Sequence, residues 1–137
     1  MSDNVVMYEA SGGGGTGSSG AGVILVNFSH PISAAQLEQI AGMLHVNVSN
    51  IAVTTIKVEM DLQAPFSPQV DNLFRQLPEY LDTRVQVLIN MPGLAPVAAM
   101  LTPLLLDYFS NSFKLIRLTS VSGSAMTSYE VFELIDI

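Results

Sequence analysis

Two segments of the chain share the same order of residue types, and together they limit the folds that it can adopt. Residues 23–31 and 85–93 each begin with branched apolar residues, reach an asparagine (Asn27 and Asn90) and continue into a turn that contains proline. A helix-like pattern follows each turn. In open α/β sheets, ligands bind where a strand leads through a short turn into a helix N-terminus. The pair therefore predicts a crevice that binds a small polar or anionic molecule.

Apolar periodicity and turn residues predict the other elements. Strands are predicted over residues 23–28, 51–60, 85–91, 114–121 and 129–137, and helices over residues 33–44, from Ser67 to Pro78, and over residues 94–109. Ser33 is the predicted N-cap of the first helix, with Gln36 at the reciprocal position of a capping box. Ser67 is the predicted N-cap of the second helix, with Pro68 as its first residue. Pro103 falls inside the third helix, where we expect a bend.

The order β-α-β-α-β-α-β-β predicts an α/β fold of the small, Rossmann-like, three-layer sandwich type. Right-handed crossovers place helices on both faces of a mainly parallel sheet, with an antiparallel edge strand. The predicted central order is 2-1-3-4, with the last strand as the edge neighbour. Strands 1 and 3 are then adjacent, so the two asparagine turns meet at the topological switch point.

The chain has 137 residues and divides by composition into two parts. Residues 1–22 contain seven of the ten glycines, interleaved with serine and threonine, and we interpret them as a flexible extension or linker. A phosphate-binding glycine loop is the alternative, but such a loop follows a strand and usually brings a lysine. Residues 23–137 form the predicted ligand-binding domain.

The charge balance excludes several classes of function. The net charge is −7 with five basic side chains, too few for the many phosphate contacts that long nucleic acids require. Backbone N–H groups at helix starts can still bind a compact anion. The sequence contains no cysteine and no metal-ligand spacing, so we predict no metal and no cofactor, and the lack of cysteine fits a cytoplasmic location.

The low fraction of charged residues also predicts self-association. Hydrophobic residues make up 49% and charged residues 12% of the chain, against about 25% charged in ordinary domains. Apolar surface must then be covered, and a homodimer or higher homo-oligomer covers it most simply. The uncharged run over residues 85–106 contains Asn90 and three prolines, so we interpret it as a strand and a core helix and predict no membrane span.

The candidate binding residues follow the strands. At the first turn they are Asn27, Phe28, Ser29 and His30, and at the second they are Asn90, Met91, Pro92, Gly93 and Leu94. Ser29 or backbone amides could bind phosphate, and the His30 imidazole could donate a proton. The alternative is a turn in which Asn27 and Ser29 bond their own backbone and His30 is solvated. Ser122 and Gly123 form a weaker third edge, which a hairpin tip explains equally well.

Residues 24–31, Leu37, residues 88–99 and residues 129–131 resemble Csx fifteen, an accessory family of type III CRISPR systems. The resemblance covers residues 23–137, while the glycine-rich extension and Pro103 depart from it. It implies a Rossmann-like dimer that binds a cyclic oligoadenylate second messenger, cyclic tetra-adenylate in particular. Carried over by position, Asn27, Ser29 and His30 face the ligand at one edge, and residues 90–93 face it at the other.

Three functions stay open at this point. The first is a non-enzymatic binder that sequesters the messenger, which we favour because the chain has one candidate histidine, no lysine near either turn and no metal cluster. The second is a metal-independent ring nuclease, in which an adenosine 2′-hydroxyl attacks the adjacent phosphate with help from His30 or Ser29. The third is a structural or interaction protein without a nucleotide ligand.

Overall fold

Strands and helices alternate along the chain as the sequence predicts. The computed structural model describes residues 22–78, 85–110, 112–121 and 128–137. In chain order the elements are β1 (Val23–Asn27), α1 (Ala34–Leu44), a short 3₁₀ helix (Val48–Asn50), β2 (Ile51–Thr55), α2 (Phe66–Arg75), β3 (Gln86–Asn90), α3 (Ala95–Tyr108), β4 (Lys114–Ser120) and β5 (Tyr129–Asp136). The predicted extension of residues 1–22 lies outside the described residues except for Gly22, which is exposed.

The five strands form one sheet in the order β2-β1-β3-β4-β5. The first four strands pair in parallel, and β5 pairs antiparallel with β4 at the edge. The strand order and the antiparallel edge strand are therefore confirmed. The chain forms a small Rossmann-like α/β fold, with its switch point between β1 and β3.

Helices cover both faces of the sheet, which explains why β1 and β3 are apolar without alternation. All five residues of β1 are buried, as are the last four of β3. On one face α1 packs through Leu37, Ile40 and Ala41 against a core that includes Leu25 and Leu88. The opposite core joins strand residues to α2 and α3, and it includes Val26, Phe28, Ile89, Val70, Leu73, Val97, Leu101 and Leu105. Continuous burial of this kind is typical of a parallel sheet covered on both faces.

The predicted bounds of β2 and α2 are wrong, and α2 ends at Arg75 rather than at Pro78. β2 ends at Thr55 rather than at residue 60, because its parallel partner β1 ends at Asn27, which lies opposite Thr55. α2 begins at Phe66 with Pro65 as its N-cap, so Ser67 is not the cap and Pro68 is the third helical residue. Proline is tolerated throughout the first turn of a helix, where N–H groups have no intrahelical partner, so it does not define the starting residue.

The ends of α1 agree with the sequence prediction. Ser33 accepts a hydrogen bond from the Gln36 backbone N–H at 3.1 Å, and the Gln36 side chain accepts one from the Ser33 N–H at 2.9 Å. This capping box is complete. His45 is the C-cap in the left-handed conformation, with φ of 58°, so its role there is structural. Within the described ranges, no helix is both long and apolar enough to cross a membrane.

Thr54 is a buried polar side chain for which the described part of the chain offers no hydrogen-bond partner. It lies in β2 at 1% exposure, and its Oγ1 makes no hydrogen bond among the described residues. A buried hydroxyl without a partner is destabilising, so we expect Thr54→Val to raise the free energy of unfolding by about 1 kcal/mol in urea denaturation. Thr55→Val, at the half-buried neighbouring position, is the control and should change it little. A loss of stability in Thr54→Val beyond that of the control would contradict the assignment.

Candidate ligand-binding crevice

The two asparagine turns meet at the carboxyl edge of the sheet, where β1 and β3 end. Asn27 and Asn90 are opposite each other in the parallel register of β1 and β3. Asn90 Nδ2 donates to Asn27 Oδ1 at 2.9 Å, and the Phe28 N–H donates to the Asn90 carbonyl oxygen at 2.9 Å. Both asparagines are buried, at 0% and 6% exposure. A buried amide pair therefore joins the two loops of the crevice, residues 28–33 after β1 and residues 91–94 after β3.

Asn27 also shapes the first of these loops. Its Oδ1 accepts from the Ser29 N–H at 3.1 Å, and its Nδ2 donates to the His30 carbonyl oxygen at 2.9 Å. Its own carbonyl oxygen accepts from the Ile56 N–H at 2.8 Å. A side chain that bonds the backbone two residues on forms an Asx turn. Asn27 thus holds the first loop, β3 and the chain after β2 in one arrangement.

The other candidate residues of the first loop differ in exposure. The Phe28 side chain is buried in the core at 1% exposure, so at this edge it offers backbone and not a ring. Ser29 is half-buried and His30 is exposed. The described side-chain hydrogen bonds of the turn are made by Asn27, as expected if the turn only bonds its own backbone. None of them uses the Ser29 hydroxyl or the His30 imidazole.

The second loop offers open space. Met91 is half-buried against the core, Pro92 is buried, and Gly93 and Leu94 are exposed. Apart from its two chain neighbours, no described residue has an atom within 4 Å of a Cβ placed on Gly93, and the Gly93 φ lies outside the left-handed region. Neither backbone conformation nor packing therefore requires glycine here. The position leaves room for a molecule to approach the backbone.

The helix starts that flank the crevice are unequal. Ser33 and Gln36 cap α1, whereas α3 has no side-chain hydrogen bond at its N-cap, Leu94. The first N–H groups of a helix lack intrahelical partners and carry the positive end of the helix dipole. Pro96 has no N–H, so the donors of this turn are Ala95 and Val97. The start of α3 therefore has more free N–H donors for an anion than the start of α1 has.

The chain after β2 also reaches this edge, which the sequence did not predict. The Ile56 N–H donates to the Asn27 carbonyl oxygen, so the chain after β2 passes the end of β1, and Lys57 is the next residue along the chain. The apolar alternation through residues 56–60 indicated a longer strand. In the structure this stretch continues past the sheet and keeps the alternation, since Ile56, Val58 and Met60 pack on the core.

The third predicted edge cannot be placed, since Ser122 and Gly123 lie outside the described residues. β4 ends before them at Ser120, which is exposed. Over the described ranges, no group of three or more histidine or acidic side chains could bind a metal ion. Comparison with protein-family models, with curated proteins and with solved structures gives no match to this chain. Its function must therefore be argued from the crevice itself.

Proposed function

We propose that the protein binds a cyclic oligoadenylate, in particular cyclic tetra-adenylate, and sequesters it as a Csx fifteen protein of type III CRISPR antiviral signalling. The observation that carries the proposal is the buried Asn27–Asn90 pair, which joins the two loops at the switch point of the sheet. Ligands of open α/β sheets bind at this place. The proposed site comprises Ser29, His30 and residues 91–94, above the asparagine pair.

The chemistry of the crevice fits a ligand with phosphates and neutral bases. The uncapped start of α3 supplies backbone N–H groups for phosphate, which an acidic chain of net charge −7 needs. Leu94, at 39% exposure, and half-buried Met91 supply apolar surface for adenine. Gly93 leaves open space beside its own backbone for the ligand.

The proposal includes a homodimer or a higher homo-oligomer in the cytoplasm. A two-fold axis presents two copies of each anion site, which matches a ring of repeated phosphates. Exposed aromatic surface supports self-association, since Tyr129 and Phe132 of β5 are 52% and 55% exposed. The cytoplasm is where a messenger of intracellular immunity is made.

Sequestration is favoured over cleavage because the crevice lacks an organised proton-transfer pair. No described side chain forms a hydrogen bond or an ion pair with the His30 imidazole. A general acid or base works best when a neighbouring group orients it. The Asn27 side chain, which orders this turn, bonds backbone groups and Asn90 instead.

Product analysis separates binding from cleavage. Stoichiometric protein should form a complex with labelled cyclic tetra-adenylate, and intact ring should be recovered from it. Linear products over several turnovers would refute sequestration. Loss of those products in His30→Ala or Ser29→Ala would then support the ring nuclease. No binding in calorimetry would favour a structural protein without a nucleotide ligand.

A leucine at Gly93 tests whether the ligand occupies the crevice. We expect Gly93→Leu to weaken the affinity for cyclic tetra-adenylate by at least about tenfold in calorimetry, because the added side chain fills the space beside the loop. Gly42→Leu in α1 is the matched control, since a Cβ there also meets open space. Gly93→Leu should keep the unfolding midpoint, and Gly42→Leu should keep or raise it, because leucine favours a helix more than glycine does. Equal affinities in the two variants would place the ligand elsewhere.

A further inference from the structure

In the stretch after β2, Lys57 directly follows the residue whose backbone is bonded to Asn27. The Ile56 N–H is bonded to Asn27, and the residues at 56, 58 and 60 pack on the core. The intervening Lys57 and Glu59 are therefore on the solvent side, with side chains 63% and 73% exposed. Lys57 Nζ lies 3.0 Å from Glu59 Oε2. One exposed carboxylate is the described partner of this lysine.

Two of the other basic residues in the described ranges are poorly placed for the crevice. Arg75 lies in the last turn of α2, and crossover helices run opposite to the strands, so it is at the amino edge of the sheet. Lys114 is the first residue of β4 and is paired with Asp136. Neither is joined by a hydrogen bond to the loops of the crevice among the described contacts.

Arg117 is the alternative cation, but its guanidinium is held over β5. It lies two residues beyond Leu115, the partner of Ile89, and is therefore level with Met91. Its Nη1 lies 2.7 Å from Glu133 Oε1, and its Cζ lies 4.5 Å from the centre of the Phe132 ring. The Arg117 guanidinium is therefore fixed by two interactions, an ion pair and a cation–π contact. Among the described contacts, Lys57 is held by an ion pair alone.

We propose that Lys57 binds a phosphate group of the anionic ligand and that Glu59 competes with the ligand for this lysine. The inference rests on the proposed function, which supplies the anion. Exposed ion pairs are weak, so a phosphate can displace Glu59 at little cost. Hydrogen bonds between charged partners are stronger than those between neutral ones, and the start of α3 supplies only neutral donors. Glu59 then sets the affinity by occupying Lys57 when the ligand is absent.

The two residues should affect binding in opposite directions. Lys57→Ala is expected to weaken the affinity for cyclic tetra-adenylate by about tenfold, and added salt should then affect binding less. Glu59→Gln is expected to strengthen the affinity by about two- to threefold, because the competing ion pair is lost. Calorimetry on the full chain measures both.

Matched variants control for net charge and for the loss of an ion pair. Arg75→Ala removes one positive charge at the amino edge, and Asp136→Asn removes the carboxylate that pairs with Lys114. Neither should change the affinity by more than about twofold. The inference is overturned if Lys57→Ala behaves as Arg75→Ala does, or if Glu59→Gln weakens binding. It is also overturned if Arg117→Ala, rather than Lys57→Ala, causes the loss.

A second probe separates this inference from the proposed function. In a titration with inorganic pyrophosphate, the amide resonances of the protein are followed. Pyrophosphate should shift the Lys57 amide signal of the wild type, and it should bind Lys57→Ala more weakly. If pyrophosphate behaves so while cyclic tetra-adenylate does not bind, the proposed function fails and the phosphate role of Lys57 stands. If cyclic tetra-adenylate binds equally to the wild type and to Lys57→Ala, the proposed function stands and the role of Lys57 fails. If neither probe depends on Lys57, its role is excluded.

Discussion

Asn27→Ala is expected to lower the free energy of unfolding by about 3 kcal/mol and to abolish binding of cyclic tetra-adenylate. The substitution removes both hydrogen bonds to Asn27 Oδ1 and the one that its Nδ2 makes to His30. The Asn90 Nδ2 group, in a side chain that is 6% exposed, then loses its described partner. A buried donor without a partner costs more than an average hydrogen bond contributes. Urea denaturation and calorimetry measure the two effects.

Asn47→Ala is the control for this prediction. Asn47 accepts from the Ser49 N–H at 3.0 Å in a similar local turn, but it is exposed and precedes β2 at the other end of the strand. We expect a loss of at most about 1 kcal/mol and unchanged ligand affinity. If Asn27→Ala were no less stable than Asn47→Ala, the asparagine pair would not organise the edge. If Asn27→Ala bound the ligand as the wild type does, the crevice would not be the site.

Phe28→Ala is expected to lower the free energy of unfolding by about 3–5 kcal/mol, the range for large truncations in a core. Phe28 follows β1 directly, and its ring is 1% exposed among residues of the core shared by α2 and α3. Phe28→Leu keeps most of the apolar volume and should cost about 1 kcal/mol. Because the ring is buried, Phe28→Leu should bind cyclic tetra-adenylate with wild-type affinity. Thermal or urea denaturation and calorimetry provide the comparison.

Phe132→Ala is the matched truncation at the surface. The Phe132 ring is 55% exposed and contacts the Arg117 guanidinium, so its removal should cost no more than about 1 kcal/mol. A loss of ligand affinity in stable Phe28→Leu would mean that the ring reaches the ligand. Equal destabilisation by Phe28→Ala and Phe132→Ala would mean that Phe28 is not part of the core.

Local signals in the sequence predicted most of the fold. Continuous apolar strands at β1 and β3, the Ser33–Gln36 capping box and the alternation of strands with helices all depend on neighbours along the chain. The end of β2 could not be predicted in the same way, because it depends on where the partner strand β1 stops. The start of α2 could not be predicted either, because it depends on contacts with residues before the helix. The Gln69 side chain bonds the backbone of Asp61 and of Pro65.

The candidate site was predictable in position but not in its contacts. Strand order alone places the turns after Asn27 and Asn90 side by side, as the register of β1 and β3 shows. The hydrogen bond between their side chains depends on rotamers, which the sequence does not specify. The hydrogen bond from Ile56 to Asn27, which fixes the backbone just before Lys57, forms after β2 has left the sheet and has no local signal in the sequence. The burial of Phe28 likewise depends on how helices from distant parts of the chain pack around it.

The most direct test is a titration of the isotope-labelled chain with cyclic tetra-adenylate, followed by amide resonances. The central claim is that the ligand binds between the loop after β1 and the loop after β3. It predicts saturable shifts concentrated at Ser29, His30, Gly93, Leu94 and Ala95, with weak shifts at the 3₁₀ helix before β2. Shifts confined to the β4–β5 edge or to the amino ends of the strands would contradict the claim, as would a spectrum that the ligand leaves unchanged.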